Sequence, residues 1–504
     1  MSANSQSLEE IQNFKGEYPK QLWSLFFSEM WERFSFYGMR GMLTFFMVQE
    51  LKLDEGQANL QYGATQAFVY ALTFVGGFFA DKILGFRRSL FWGGILMIIG
   101  SVVLAIDPKT FFFIGIGFNI IGTGFFKPNI SSIVGNLYRE GDNRIDSGFS
   151  LFYAGVNLGA LFGGYVCIAL AKHELLANLV PAHLAWNVAF GISSFFMIVS
   201  LLTFVRTQKS LASIGLSPLS HLPKNKRLLY ELSTFVLSLA LIPLVIIMVA
   251  KTEFTDVFMY IIGPVSVIYL VYEMKNYDWS VNKKLLAALL FMFFSIFFWA
   301  FFEQSGGSLS LFAANNLHNS MFGIRMDPNG VNNAANSLFV ICFAALMGLL
   351  WVWLSKRNLE PNTIVKFGLG FIFLAGGFYI FYSTRFFCDQ NGFTSLGVFT
   401  LGWFVITFGE LSLSPIGMGV MTKLSPRKLQ AVVMGMWFLA SAYGQYFAGI
   451  LGANIAEASA NADNYAKLMV YTEGYKQLGL YSLIGGIFII AISPLMKKMM
   501  GGVK

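Results

Sequence analysis

Seven ionisable side chains interrupt stretches of this chain that are otherwise strongly apolar: Glu29, Glu32, Arg33, Arg40, Lys127, Glu303 and Glu410. Burying an ionisable group at membrane depth is costly, so each of these residues is a candidate for a functional role. Carboxylates and cations in one place can bind the charged ends of a ligand. A buried carboxylate can also carry a proton.

The first apolar stretch carries its charges on one side. At about 100° per residue, five residues fall within an arc of about 100° on a helix: Glu29, Glu32, Arg33, Phe36 and Arg40. Lipid cannot host such a face, so it must look into a cavity or onto another helix. A purely structural stripe of ion pairs, with Glu29 and Arg33 pairing at four-residue spacing, remains an alternative.

Lys127 follows two glycines and precedes Pro128, residues that loosen a helix. It can pair structurally with the carboxylates of the first stretch, contact a ligand, or do both.

The charges divide unevenly between the two halves of the chain. The amino-terminal half holds three cations and two carboxylates, and the carboxy-terminal half holds the carboxylates Glu303 and Glu410 without a cation. A zwitterion would place its carboxylate against Arg40 and Lys127 and its ammonium group against Glu410 or Glu303. Short peptides are such zwitterions. Four acids face three bases, so at least one carboxylate is expected to lack an ionic partner and to favour its protonated form when desolvated.

The composition identifies the elements that must position these charges. Of the 504 residues 56% are hydrophobic and 12% charged, against roughly 25% charged residues in a soluble domain. About fourteen apolar runs are near the roughly 20 residues of a membrane-spanning helix, with centres near residues 36, 70, 97, 122, 158, 194, 240, 262, 298, 343, 372, 410, 442 and 488. Continuous runs without alternation predict helices rather than a barrel.

The net charge of +8 does not indicate nucleic-acid binding, because the charges follow the membrane topology. With the amino terminus inside, inward loops and termini carry 24 of the 35 Lys and Arg residues, outward loops 8 and the spans 3. This asymmetry predicts a multi-pass protein with both termini in the cytoplasm. The amino-terminal sequence does not resemble a cleavable signal peptide.

The spacing of the apolar runs predicts five parts. They are a tail (1–20), a six-helix bundle (21–206), a basic loop (207–229), an accessory two-helix hairpin (230–274) and a second six-helix bundle (284–500). Two six-helix halves with a site between them are typical of the major facilitator fold.

The loop after the second run, Gly76 to Arg88, resembles the major facilitator signature for that position. Its glycines allow close helix contact and a tight turn. Asp81, Arg87 and Arg88 can make ion pairs that form and break during gating.

Several segments then identify a family. The chain resembles the bacterial proton-dependent oligopeptide transporters (POT/PTR) in the ExxERF motif at 29–34 and in the segments 152–159, 298–304, 409–415 and 435–439. The resemblance spans roughly residues 20 to 450 and implies import of di- and tripeptides by proton symport and alternating access, without a cofactor.

The resemblance also implies roles for individual residues. Arg40 and Lys127 would bind the peptide carboxylate and Glu410 its amine, while Glu303 and the cluster of Glu29, Glu32 and Arg33 with Lys127 would couple protonation to transport. The remaining substrate contacts would come from Asn157, Asn336, Tyr37, Tyr70, Trp299 and Trp437. For Asn157 and Asn336, hydrogen bonding between helices is an alternative.

Two residues depart from the family pattern, since Phe36 stands where many members have Tyr and Ser337 where many have Pro. These departures affect the expected affinity and peptide length. Bacterial members of this family carry such an accessory hairpin, and no large outer domain follows the ninth core helix as in animal relatives, so the resemblance implies a bacterial inner membrane.

Other functions remain to be separated by experiment. Proton-coupled transport of nitrate or of a peptide-like drug, a channel, and a peptide receptor that does not transport all fit the same scaffold. An enzyme is not indicated, because the four His residues fall in or near loops without catalytic or metal-ligand spacing. The three Cys residues are too scattered for a disulfide framework or a metal cluster.

Overall fold

The computed structural model describes residues 7–413, 417–457 and 462–501. Its amino-terminal part is helical, in elements that we number α1 Leu8–Gln12, α2 Lys20–Gln49, α3 Glu55–Phe79, α4 Phe86–Ile106, α5 Phe112–Asn136, α6 Ile145–Ala171, α7 Ala185–Thr207, α8 Lys224–Ala250 and α9 Thr252–Glu273. A π-helical turn, Ala80–Leu84, extends α3.

The carboxy-terminal part continues with α10 Trp279–Phe302, α11 Ser308–Asn316, α12 Pro328–Lys356, α13 Thr363–Ser383, α14 Leu396–Leu413, α15 Gly417–Leu424, α16 Gln430–Glu457, α17 Asn464–Ala491 and α18 Ser493–Met500. Between α11 and α12 lies an antiparallel hairpin of β1 Ser320–Met321 and β2 Ile324–Arg325. Phe322 and Gly323 turn this hairpin with positive φ angles of 52° and 79°, as a two-residue turn requires.

The long helices match the predicted spans. Within the described residues, fourteen helices have at least 18 residues, and each contains one predicted centre. Eleven helical segments of the described chain are long and apolar enough to cross a membrane, and the other three long helices are α2, α5 and α16. The protein is therefore a multi-pass helical membrane protein, as predicted.

Two compact units divide the chain. Unit 1 contains the residues up to Met42 and Phe68–Ala250, and unit 2 contains Leu43–Ala67 and the residues from Lys251 onward. In unit 1, α4 packs along α5 and α7, and α8 packs on α5. In unit 2, α13 packs between α14 and α17, α10 lies along α16, and α12 lies along α14. The five-part division of the sequence stays a prediction, although α8 begins within the predicted basic loop.

The two accessory helices belong to different units. In unit 1, α8 is fastened to α4, because Arg88 pairs with Glu231 and Trp92 Nε1 donates to Ser238 Oγ at 2.9 Å. In unit 2, α9 is fastened to α16, where Tyr446 Oη donates to Asp256 Oδ1 at 2.7 Å. Only 28% of the apolar window of α8 and 17% of that of α9 are buried, against 61% in α6. Most of the surface of these two helices is therefore exposed, as expected for helices that face lipid.

Helices α4 and α5 meet at a glycine contact. A Cβ atom on Gly93 would lie 2.5 Å from the carbonyl oxygen of Gly122, and a Cβ atom on Gly122 would lie 2.7 Å from that of Gly93. Small residues let helix backbones approach this closely in membrane proteins.

We expect Gly93→Ala to destabilise unit 1 by about 1–3 kcal/mol, because the added methyl group overpacks this contact. The thermal unfolding midpoint of the purified protein should fall accordingly. Gly348→Ala is the matched control, because a Cβ atom there meets no heavy atom within 4 Å and alanine favours a helix over glycine. A Gly93→Ala midpoint equal to that of Gly348→Ala would show that the helices can separate at no cost.

Candidate functional site

The charged face of α2 forms a buried cluster in unit 1. Glu29, Glu32 and Arg33 are 3%, 0% and 2% exposed. Arg33 Nε lies 2.8 Å from Glu29 Oε1 and 2.7 Å from Glu32 Oε2. The structure thus contains the four-residue Glu29–Arg33 pair that the spacing suggests, and it adds Glu32 as a second carboxylate on the same guanidinium.

This cluster is not saturated with hydrogen bonds. Glu29 Oε2, Glu32 Oε1 and Arg33 Nη2 are buried and make no hydrogen bond to another described residue. Buried polar atoms without partners are rare and costly. Two carboxylates on one guanidinium carry a net negative charge, so the cluster favours either a proton or a further cation.

Lys127 of α5 supplies that cation in unit 1. It interacts electrostatically with Glu29 and Glu32, and also with Arg33 and Arg40. Its Nζ atom lies 4.2 Å from the ring centroid of Tyr70 on α3, within the range of a cation–π contact. A change in the charge of the cluster on α2 therefore changes the electrostatic interactions of Lys127.

Arg40 lies further along the same face of α2. Its guanidinium carbon is 5.6 Å from the ring centroid of Tyr37, and Arg33 is similarly placed 5.5 Å from Phe36. The sequence-predicted cations Arg33, Arg40 and Lys127 therefore share one electrostatic environment in unit 1. Asn157 of α6 donates to the carbonyl oxygen of Tyr153 at 2.9 Å, within its own helix.

Two buried carboxylates lie in unit 2. Glu410 of α14 is 9% exposed, and its Oε2 atom accepts a hydrogen bond of 2.8 Å from Asn336 Nδ2 of α12. The same Nδ2 atom lies 3.2 Å from Thr407 Oγ1. Asn336 thus links α12 to α14 while it orients Glu410. Glu303 is 3% exposed and begins the short 3-10 helix Glu303–Gly306 that follows α10.

Aromatic side chains pack at the end of α10, next to Glu303. Trp299 packs edge-on against Phe302 with 5.4 Å between ring centroids, and its Cβ atom would lie 2.6 Å from a Cβ atom on Gly444 of α16. Trp437, also on α16, is 8% exposed.

The tenth-helix signature is described through Leu413, whereas Ser414 and Pro415 lie outside the described residues.

The arginines of the signature segment bind to the chain after α7, through backbone carbonyls and one ion pair. Arg87 donates to the carbonyl oxygens of Gln208, Ala212 and Ile214. Arg88 pairs with Glu231 of α8, and Asp81 is exposed. The two arginines therefore fasten the segment after α7 and the start of α8 to α4. Besides Arg227, four residues earlier on the same helix, the partner of Glu231 is Arg88, which lies 143 positions away in the chain, so the sequence did not reveal this link.

A second missed network lies in unit 2. Glu55, at the start of α3, accepts from Lys467 Nζ at 2.8 Å and from Tyr471 Oη at 2.6 Å, both on α17. Asn315 of α11 is 3.3 Å from the same carboxylate. An acidic residue in the first turn of a helix is common, so no signal in the sequence marked Glu55.

Comparison with known proteins places this arrangement in a family. The family model PTR2, described as the POT family, matches residues 87–468. The peptide transporter YePEPT of Yersinia enterocolitica is 33% identical over 468 residues, which cover 87% of this chain and 88% of its own. Dipeptide and tripeptide permease B of Aeromonas hydrophila is 29% identical over 489 residues, or 96% of this chain and 94% of its own.

Solved structures have the same fold over almost all of the chain. A mutant of a peptide transporter named POT, crystallised in complex with alafosfalin, is 28% identical, with a TM-score of 0.80 and coverage of 98% of this chain and 99% of that one. The predicted major facilitator architecture is thereby confirmed. The chain belongs to the POT family of transporters.

Proposed function

We propose that this protein imports di- and tripeptides together with protons across a bacterial inner membrane, by alternating access. The observation that carries the proposal is a set of buried and partly buried charges, with three cations on α2 and α5 of unit 1 and two carboxylates on α14 and after α10 of unit 2. The two relatives described above, a peptide transporter and a dipeptide and tripeptide permease, support the same substrate class. No catalytic residue, metal or cofactor enters the proposal.

The charged ends of the peptide select the binding residues. Arg40 and Lys127 receive the carboxylate, and the electrostatic interaction between these two cations in unit 1 supports this role. Glu410 receives the ammonium group, and the hydrogen bond from Asn336 holds its carboxylate in one orientation. Charge-assisted hydrogen bonds of this kind are about twice as strong as neutral ones.

Uncharged side chains complete the proposed contacts. Asn157 and Asn336 bond to the peptide backbone, Tyr37 and Tyr70 line the site, and Trp299 and Trp437 bound the space for peptide side chains. The contact of Tyr70 with Lys127 supports its assignment. For Asn336 the substrate role coexists with its link between α12 and α14.

Protons enter at two places. The cluster of Glu29, Glu32 and Arg33 responds to the peptide carboxylate through Lys127, because a carboxylate that draws Lys127 away leaves the cluster more negative and favours its protonation. Glu303 is the principal carrier in unit 2. Its burial supports this role, because a fully ionised carboxylate is costly in a dry interior.

The signature loop and the topology complete the proposal. Asp81, Arg87 and Arg88 take part in gating on the cytoplasmic side. Ion pairs of Arg88, such as the one with Glu231, break and form during this gating. Both termini are cytoplasmic, in accordance with the distribution of basic residues.

Accumulation in liposomes tests the function. The purified protein is reconstituted, an inward proton gradient and a negative-inside potential are imposed, and labelled dialanine is followed over time. Uptake above the external concentration, abolished by a protonophore, is the expected result. Saturable binding without accumulation would favour a receptor, and accumulation of nitrate instead of dialanine would favour an anion transporter.

We expect that blocking either end of a dipeptide weakens its binding about tenfold or more, since each block removes a charge-assisted contact. Amine acetylation removes the contact with Glu410, and carboxyl amidation removes the contacts with Arg40 and Lys127. Competition against labelled dialanine measures both effects. The two blocked forms are similar in size and serve as controls for each other. If both blocked forms compete as well as free dialanine does, the assignment of the charged contacts is wrong.

A further inference from the structure

An apolar groove runs along the surface of unit 2 between α9, α10 and α16. Its volume is about 730 Å³, within the range of about 300–1,000 Å³ that is usual for small-molecule sites. Two hydroxyl groups line it, and both donate hydrogen bonds to backbone carbonyl oxygens of α9. Ser266 Oγ donates to Ile262 at 2.6 Å, and Tyr443 Oη donates to Met259. The rest of the wall is almost wholly hydrocarbon and aromatic, which suits an acyl chain.

One end of the groove is basic. Leu286 and Met499 line the groove, and lysines precede both of them in the sequence: Lys283, Lys284, Lys497 and Lys498. The two segments meet at this end, because a Cβ atom on Gly501 after α18 would lie 3.1 Å from Lys284 Cε at the start of α10. Lys275 after α9 adds a fifth cation at this end, against the carboxylates Glu273 and Asp278.

Exposed aromatic residues mark the membrane interface at the same end. Trp279 and Tyr272 are 64% and 62% exposed, and Lys283 Nζ lies 5.7 Å from the Trp279 ring centroid. Tryptophan and tyrosine are enriched where the bilayer meets water. With a rise of about 1.5 Å per residue, Leu286 and Ile296 lie about 10 Å and 25 Å beyond Trp279 along α10. The groove therefore extends through about one leaflet of a hydrocarbon core that is about 30 Å thick.

We propose that this groove binds an anionic phospholipid from the leaflet that contains the carboxy-terminal helix. Its acyl chain fills the space between α9, α10 and α16, and its phosphate group contacts Lys283, Lys284 and Lys498. A zwitterionic lipid would match the apolar wall but not the excess of lysines. Basic pockets between membrane helices favour anionic headgroups for this reason. None of the residues that line the groove is a proposed peptide contact, and the proposal does not depend on those contacts.

Binding of two lipids with identical acyl chains tests the proposal. Delipidated full-length protein is titrated with phosphatidylglycerol and with phosphatidylcholine, and bound lipid is counted by native mass spectrometry. We expect phosphatidylglycerol to bind about tenfold more tightly. The variant Lys283→Gln/Lys498→Gln should reduce that preference by about tenfold, because each lysine near the headgroup contributes to the attraction. Val267→Trp, which fills the groove, should weaken binding of both lipids.

Matched variants separate this site from general effects. Lys224→Gln/Lys226→Gln removes the same charge from exposed lysines at the start of α8, and Val271→Trp adds the same bulk to α9 at a residue that does not line the groove. Neither should change the binding of lipid. Equal affinity of the wild-type protein for the two lipids would overturn the proposal, and so would equal losses in the test and control pairs. The wild-type comparison requires no variant, so it stands even if a substitution prevents folding.

Discussion

Proton-driven uptake of dialanine should fall to background in Lys127→Ala, while the protein remains folded. Lys127 interacts with both carboxylates of the cluster on α2 and with Arg40, so its loss removes a proposed contact to the peptide and the connection to the proposed proton site. Removing one partner from a buried ionic group leaves the remaining charges unbalanced. Uptake is measured in liposomes, and folding is checked by size-exclusion chromatography and thermal unfolding.

A second substitution separates stability from transport. Combining Lys127→Ala with Glu32→Gln removes one negative charge together with the positive one, so the unfolding midpoint should recover towards that of the wild type while uptake stays at background. Lys226→Ala is the matched control for the loss of a lysine, because Lys226 is exposed at the start of α8. Normal gradient-driven uptake by a well-folded Lys127→Ala protein would refute the role of Lys127.

Glu303→Gln should abolish accumulation but preserve exchange. Glutamine has nearly the shape of a protonated glutamate and cannot release a proton, so the loaded carrier can reorient but cannot return a proton in each cycle. Liposomes preloaded with unlabelled peptide should still take up label by counterflow. Uptake driven by a proton gradient alone should fall to background.

Glu410→Gln is the matched control, since it replaces a second buried carboxylate of unit 2 by the same amide. It removes a proposed contact to the peptide ammonium group, so both counterflow and gradient-driven uptake should fall. If Glu303→Gln concentrates peptide as the wild type does, Glu303 is not the principal carrier, and the proton site lies among Glu29, Glu32 and Glu410.

The sequence predicted the helices well because each long helix contains an apolar run. The last predicted centre, residue 488, lies near the end of α17, which begins at Asn464. Polar residues such as Lys467, Glu473 and Lys476 lower the hydropathy of its first half and shift the apparent centre. The short helices α11 and α15 are not long enough to produce an apolar run of membrane length, so they were not predicted.

Contacts in the site between residues that are close in the chain could be predicted, whereas contacts between residues far apart in the chain could not. The pair Glu29–Arg33 lies on one helix, where four-residue spacing brings side chains together. By contrast, Asn336 and Glu410 are 74 positions apart, and Glu55 and Lys467 are 412 apart. Such contacts depend on the packing of whole helices. A sequence without an alignment can identify the charged residues but not the partners that orient them.

The sparse burial of α9 has a consequence for how its sequence can change over evolutionary time. Where a side chain faces only lipid, one aliphatic residue serves as well as another, and most of α9 is in this condition. Drift among valine, isoleucine, leucine and phenylalanine should therefore be nearly neutral along this helix. The exceptions are the buried residues Thr255, Met259 and Leu270 and two positions that contact α16. These two are Asp256, which accepts the hydrogen bond from Tyr446, and Gly263, where an added Cβ atom would collide with the Tyr443 hydroxyl group. Related proteins should accordingly differ widely in α9 while keeping a small residue and a hydrogen-bond acceptor at these two places.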